Sequence, residues 1–452
     1  MKKLSDISSV YFLGIGGIGM SALARYFRSR GLRVSGYDKT ETVLTKQLVA
    51  EGMAVHYDDN LEKIDREAEL VIVTPAVPQD HSELNFFKNN GYPVKKRSEV
   101  LGMITGETFS ICVAGTHGKT TTSSLIAHIL RHSGYGCNAF LGGITANYGT
   151  NFWSHEKAVS VAEADEYDRS FLQLSPDMVV ITSMDPDHLD IYGTAENLQD
   201  AFVQFANRLK EGGYLVYKYG LPRTDEFRAG NIVSYSLDNP NAAIYASRIE
   251  ITGGRYLFDV TLPTHTIQRV ELNMGGMHNI ENTVAAMAIA GKLGISDDKI
   301  KAAVADFNGV KRRFEYIIRR ENLVMIDDYA HHPEELRALI SGAKELYPGM
   351  PCTVVFQPHL FSRTNDLADG FADALGLADE LLLLPIYPAR ELPMPGVTSR
   401  MIADRMKGTK IRMVDMNELV EDLRLHRPSL LIMAGAGDID TLVQPVADAL
   451  NN

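Results

Sequence analysis

The chain has 452 residues, 45% of them hydrophobic and 23% charged, with a formal net charge of -12. That length suffices for two to four domains that bury their own cores, while the acidic balance opposes the phosphate neutralisation on which DNA or RNA binding depends, so no nucleic-acid partner is expected. Cys112, Cys137 and Cys352 form no metal-like pair and point to a reducing, cytoplasmic setting, and no uninterrupted apolar run approaches the ~18 residues of a membrane span.

The first 24 residues carry Lys2, Lys3 and an apolar stretch, but Asp6 and four glycines interrupt it, which fits a buried first strand and not a secretion signal. From there, short runs rich in Val, Ile, Leu and Phe alternate with polar or glycine-rich turns and stretches of helical period, the pattern of parallel α/β structure. Three domains are expected. The first, residues 1–106, is Rossmann-like, with strands at 10–13, 33–37 and 70–74. The second, residues 107–312, is a P-loop-type ATPase α/β domain with strands at 109–114, 158–162 and 178–182. It continues through a strand-rich, irregular half over 212–272 to a helix over 277–293. The third, residues 313–452, has strands at 323–326, 353–357, 380–384 and 430–433 alternating with helices, another Rossmann-like doubly wound sheet.

Gly14-Ile-Gly16-Gly17-Ile18-Gly19 follows the first strand and opens a helix, so its backbone can approach a diphosphate at a positively polarised helix end. Asp38 ends the next strand, where a ribose-binding acid belongs. By itself this front loop also suits an NAD-dependent dehydrogenase.

Gly115-Thr116-His117-Gly118-Lys119-Thr120-Thr121 lies between a buried strand and a long helix. It offers amide donors, a lysine for the β- and γ-phosphates of ATP and a hydroxyl for Mg²⁺. A full P-loop would carry Gly at position 113, where this chain has Val; the shorter Gly-x-x-Gly-Lys-Thr form keeps the phosphate cradle. The next two strands end in Glu163-Ala-Asp165-Glu166-Tyr-Asp168 and Asp185-Pro-Asp187-His188, at the sheet edge where ligands bind in open α/β folds. Thr120 with Glu163 is a candidate Mg²⁺ shell, and His188 a less orthodox third ligand, since Mg²⁺ prefers oxygen. In the third domain Asp327-Asp328-Tyr329-Ala-His331-His332-Pro, Pro-His359-Leu360-Phe-Ser-Arg363, Tyr387-Pro-Ala-Arg390-Glu391 and Ala-Gly435-Ala-Gly437-Asp438 all follow strands, four polar clusters on one edge.

Together, the phosphate loop, the Glu-Ala-Asp-Glu block, Asp187-His188, Met277-His278-Asn279-x-x-Asn282 and Asp-Asp-Tyr-Ala-His-His-Pro resemble the Mur ligases of peptidoglycan synthesis, over essentially the whole chain. Within that family the segment 14–21 is similar to the front end of the first-acting enzyme, which joins L-alanine to UDP-N-acetylmuramate. The resemblance implies that Gly16, Gly17, Ile18, Gly19 and Asp38 hold a UDP-sugar and not NAD. It further implies that Asn282 contacts adenine, that Arg313 approaches the γ-phosphate, that Asp328 helps hold the nucleotide, and that His331 and Arg363 lie near the reacting carboxyl and the amino acid. Many relatives have Arg where this chain has Leu360, and no lysine between Gly193 and Arg208 supplies the carbamylated, metal-bridging group of several sister ligases.

The chemistry implied is ATP-dependent amide formation through an acyl phosphate, with ADP and phosphate released. Lys119 stabilises the shifting charge, and His331 orients or deprotonates the amine. A recycling ligase that attaches a preformed peptide to the same sugar is the nearest alternative, and a non-catalytic ATP-dependent switch a more distant one. The sequence leaves the oligomeric state open.

Overall fold

The computed structural model describes residues 4–187, 189–389 and 391–451. The chain divides into two compact units, Met1–Ser247 with Asp259–Gln268 and Glu281–Val304, and Arg248–Phe258 with Arg269–Ile280 and Ala305–Asn452.

The first unit contains two sheets. Strands β1 (Ser9–Leu13), β2 (Arg33–Tyr37), β3 (Ala54–His56), β4 (Leu70–Val73) and β5 (Val94–Lys96) form a parallel sheet of order β3-β2-β1-β4-β5. The reversal of strand order beside β1 puts its glycine loop at the crevice where such sheets take ligands. The second sheet is built on β6 (Phe109–Ala114), β7 (Asn138–Thr145), β8 (Thr150–Trp153), β9 (Val159–Ala164), β10 (Met178–Ile181), β11 (Tyr214–Lys218) and β12 (Asn231–Ser236), in the order β12-β11-β10-β6-β9-β7-β8. Only the β7–β8 pair among these runs antiparallel. Ile111, Cys112, Val113 and Ala114 are fully buried in β6, as expected for a parallel strand covered on both faces.

One hydrophobic core joins the two sheets. Leu23 and Phe27 of the helix Ile18–Ser29, Phe140 and Phe152 of the β7–β8 hairpin, and Leu174 and Phe202 belong to it. The Tyr26 ring packs 5.3 Å from that of Phe140. Near it, the Arg25 guanidinium is buried between the Asn151 amide oxygen at 2.7 Å and the Glu51 carboxylate at 2.8 Å.

Strands β13 (Ile244–Thr252), β14 (Arg255–Thr261) and β15 (Thr266–Leu272) have residues in each unit, and the second unit carries the sheet of β16 (Glu315–Arg320), β17 (Leu323–Asp328), β18 (Cys352–Phe356), β19 (Glu380–Leu383), β20 (Lys410–Met413) and β21 (Leu430–Ala434). The order is β16-β17-β21-β18-β19-β20, parallel except for the edge strand β16. Met325, Val355, Leu382, Leu431 and Met433 form its core with Leu419 and Val446. Cys112, Cys137 and Cys352 are all buried and unbridged, and burial pushes each thiol up to about 12.

Candidate active site

The loop after β6 turns on two glycines in the left-handed region, Gly115 at φ 142° and Gly118 at φ 81°. Neither tolerates a side chain: a Cβ on Gly115 would collide with the Thr182 hydroxyl, and one on Gly118 would lie 2.7 Å from Asn282 Oδ1. Gly118 caps the helix Lys119–His132, whose first-turn amides face the loop. Two hydroxyls at the end of β10 brace it. Ser183 Oγ accepts from His117 N at 2.7 Å and bonds Thr116 Oγ1 at 2.8 Å, and the Thr182 hydroxyl donates to the His117 carbonyl.

Within this cradle Lys119 Nζ donates to the Gly115 carbonyl at 2.6 Å and to Glu166 Oε1 at 2.7 Å. The Glu166 side chain is only 1% exposed, and burial raises its carboxyl above the ordinary range in spite of the lysine. Thr120 and Thr121 are buried, and Asn282 lies behind the loop, where its amide oxygen accepts from Thr122 Oγ1 at 3.2 Å.

A cavity of about 300 Å³ separates the front glycine loop from the carboxyl edge of the central sheet. Gly17, Ile18 and Gly19 line one side, Gly142, Glu163 and Asp165 the other, and Arg97 reaches between them. Asp38 does not enter it; its Oδ2 accepts from Gly16 N at 2.7 Å and its Oδ1 from Thr40 N at 3.2 Å. Glu163 Oε2 accepts from Gly142 N at 3.2 Å, and any side chain at position 142 would occupy the place of its carboxylate. Among the described residues no group of three or more His, Cys, Asp or Glu side chains is placed to hold a metal ion. His188 lies outside the described residues, as does Arg390.

In the second unit the end of β17 is held by its own backbone. Asp328 accepts from Phe314 N at 2.6 Å and from Ala330 N at 2.7 Å, and burial keeps its carboxyl up at about 6. His331 Nδ1 donates to the Tyr329 carbonyl at 2.9 Å, while the Glu335 carboxylate accepts from His331 N at 3.0 Å and His332 N at 3.1 Å. Burial lowers the His331 value below that of a free imidazole. His359 stands next to it, ring centroids 6.1 Å apart, with Arg363 Nη1 3.4 Å from His359 Nδ1 and the Tyr387 ring stacked at 5.7 Å. Leu360 adopts φ 71°, and its amide donates to the Tyr387 carbonyl at 2.9 Å. Arg312 is tied to the Gly435 carbonyl at 2.5 Å and lies 3.4 Å from Asp327 Oδ2, whereas Arg313 is exposed.

Three domain families match in succession: "Mur ligase family, catalytic domain" over residues 9–108, "Mur ligase middle domain" over 113–290, and "Mur ligase, glutamate ligase domain" over 312–437. The chain belongs to the Mur ligase family. It is 50% identical over 451 residues to the UDP-N-acetylmuramate–L-alanine ligase of Porphyromonas gingivalis W83, covering 98% of each chain. With the enzyme of the same name from Flavobacterium johnsoniae it shares 47% over 453 residues, 99% of each. The crystal structure of a UDP-N-acetylmuramate-alanine ligase from Thermotoga maritima superimposes with a TM-score of 0.84 at 28% identity, covering 98% of this chain and 99% of that one. A murein peptide ligase from Psychrobacter arcticus shares the fold, with a TM-score of 0.67 at 21% identity over 99% of each chain.

Two residues of this Mur ligase escape a reading of its sequence. Arg97 follows Lys95 and Lys96 at the end of β5, and that basic run on a ligand-binding edge was the available signal. Glu166 sits in a recognised acidic block, but its pairing with Lys119 joins residues 47 positions apart.

Proposed function

We propose that this ligase joins L-alanine to the carboxylate of UDP-N-acetylmuramate, with ATP converted to ADP and phosphate. The observation that carries this reading is the cavity shared by the front glycine loop and the carboxyl edge of the central sheet, because that same edge bears the Lys119 loop. Sequence identity of 50% and 47% to the two relatives above, over nearly the whole of each chain, supports the choice of substrates. The diphosphate of the sugar nucleotide would lie on the amides at Gly17 to Gly19, and Arg97 adds a cation beside them.

A carboxylate is a poor electrophile. Its oxygen attacks the γ-phosphorus of ATP and the bond to the β–γ bridging oxygen breaks, releasing ADP. A neutral amine then attacks the acyl carbon of the acyl phosphate so formed, the C–O bond to phosphate breaks, and inorganic phosphate leaves as the amine gives up its proton. Lys119 and the loop amides hold the phosphate charge during transfer. Thr120 and Glu163 are both oxygen donors, as Mg²⁺ requires, and would hold the ion that neutralises the phosphates when bound. In the second unit His331 would take the proton from the amine and Arg363 would hold the carboxylate of the amino acid. In the first unit Asn282 would contact adenine, and Arg313 and Asp328 are the second unit's candidates for nucleotide contact. Such a reaction belongs in the cytoplasm, where ATP is found; no helix among the described residues is long and apolar enough to cross a membrane.

The test is phosphate release with ATP, Mg²⁺, UDP-N-acetylmuramate and each amino acid in turn. L-Alanine is expected to give the largest kcat/KM; a tripeptide acceptor preferred over alanine would reassign the enzyme to recycling. With alanine omitted, borohydride should trap the acyl phosphate as the alcohol. Label in the muramyl carboxylate oxygens should reach inorganic phosphate in a full turnover, and its recovery in AMP would overturn the mechanism.

A further inference from the structure

Arg97 is the first residue of the helix Arg97–Glu107, and its guanidinium packs so closely against the front loop that a Cβ on Gly19 would lie 2.8 Å from Nη1. On its other side Nη2 is 3.4 Å from Asp165 Oδ2. Asp165 governs the segment that follows it: its Oδ1 accepts from Tyr167 N at 3.0 Å, and its carbonyl accepts from Phe171 N at 2.9 Å. Inside that segment Asp168 and Arg169 both adopt left-handed backbone, φ 52° and 54°, a conformation that non-glycine residues keep only when their surroundings impose it.

That helix and the strand end before it lie against the segment at two points. Lys96 Nζ lies 3.8 Å from Asp168 Oδ2, and Gly102 abuts the Gln173 carbonyl with no room for a side chain. Just before these anchors, and directly after Asp165, is Glu166, which holds Lys119, while the Glu166 carbonyl accepts from the Tyr192 hydroxyl at 2.6 Å. Two ion pairs, Arg97–Asp165 and Glu166–Lys119, are therefore joined through the adjacent backbone of residues 165 and 166 and lead from the cavity to the phosphate loop. At its far end the Lys119 ammonium is engaged by Gly115 and Glu166.

We propose that Arg97, Asp165 and Glu166 couple the two substrate sites: a diphosphate in the cavity draws Arg97 off Asp165, the 165–173 segment relaxes, and Glu166 releases Lys119 to the γ-phosphate. The proposal rests on reading the cavity as the UDP-sugar site. The differential contact that any such shift needs is the anion's pairing with Arg97, available only when Asp165 has given it up. Arg97 contacts the anion itself, whereas Asp165 and Glu166 act here as positioning residues, with no chemistry of their own. Linkage requires the effect to be reciprocal, so ATP must tighten the sugar by the same factor.

Calorimetric titration of the full-length enzyme with Mg²⁺ and a non-hydrolysable β,γ-methylene analogue of ATP tests this, without and with saturating UDP-N-acetylmuramate. The sugar is expected to lower the analogue's Kd at least about fivefold, with the reverse titration giving an equal factor. Asp165→Asn, nearly isosteric, should bring that ratio to within about twofold of one while both ligands still bind. Glu166→Gln should bind the analogue tightly even without the sugar. Equal analogue affinity with and without sugar in the natural enzyme overturns the proposal, as does a ratio unchanged in both variants. Failure of the sugar to bind at all would instead strike the reading of the cavity beneath it.

Discussion

The ring of His331 donates through Nδ1 to the carbonyl of Tyr329, two residues earlier, and that bond leaves the lone pair on Nε2. A neutral imidazole fixed in this tautomer is suited to take a proton from an ammonium. Burial keeps its value below the ordinary one, so the neutral form persists to lower pH. The acid limb of kcat/KM for alanine is expected below the free-imidazole value of about 6.5, and His331→Asn should lower that parameter by roughly a hundredfold or more. A pH–rate profile with the limb unmoved in the variant would remove His331 from the role of base.

Lys119→Ala should cut turnover by at least about a hundredfold, because it removes the one ammonium of the glycine cradle proposed to stabilise charge during phosphoryl transfer. Circular dichroism should show the fold retained. A folded variant with near-normal kcat would refute the assignment of the loop.

Gly16→Val should raise the KM for UDP-N-acetylmuramate far more than that for ATP. The first atom of any side chain there would lie 2.6 Å from Thr45 Cγ2 and 2.8 Å from Asp38 Oδ2, so the loop must shift away from its place beside the cavity. Equal changes in both constants would mark the loop as structural only.

Asp327 gives a prediction for stability. Its carboxyl is buried and held up at about 7, with Arg312 opposing the shift. The folded value lies above the unfolded one, so the carboxyl's contribution is complete below about pH 4 and is lost as pH rises through about 7. Asparagine does not titrate. Between pH 5 and pH 8 the stability of Asp327→Asn should therefore gain on that of the natural protein by on the order of 1–3 kcal/mol, read as the difference in thermal midpoints. A difference that is the same at both pH values would contradict it.

The phosphate loop was legible because strand, turn and helix are contiguous in sequence, and glycine, lysine and threonine carry their roles locally. The front loop was legible for the same reason, and the central strands showed themselves as the apolar runs Ile111–Ala114 and Met178–Ile181. Short, charged edge strands did not: Val94–Lys96 and Lys410–Met413 carry too few apolar residues to show a period. The β7–β8 hairpin hid behind Gly142 and Gly143, which interrupt a strand pattern, although Gly142 leaves space for the Glu163 carboxylate. Partnerships across the sheet were hidden more deeply. Arg97 and Asp165 are 68 positions apart, and their meeting depends on which strands the crossovers place side by side. Asp38 had the right residue type at the end of the right strand, but sequence alone did not indicate that its carboxylate would bind the loop's own amide.

The three thiols, sealed from solvent and held far from ionisation, are silent clocks. Cys112 and Cys137 belong to the first unit and Cys352 to the second. An alkylating reagent reacts with the thiolate, so each sulfur is modified only in molecules whose surrounding sheet has opened. Mass spectrometry of peptides from a timed labelling experiment would then read the opening rate of each unit separately, in one sample, without a foreign probe. Repeating it with bound nucleotide or sugar would show which half of the ligase each ligand steadies.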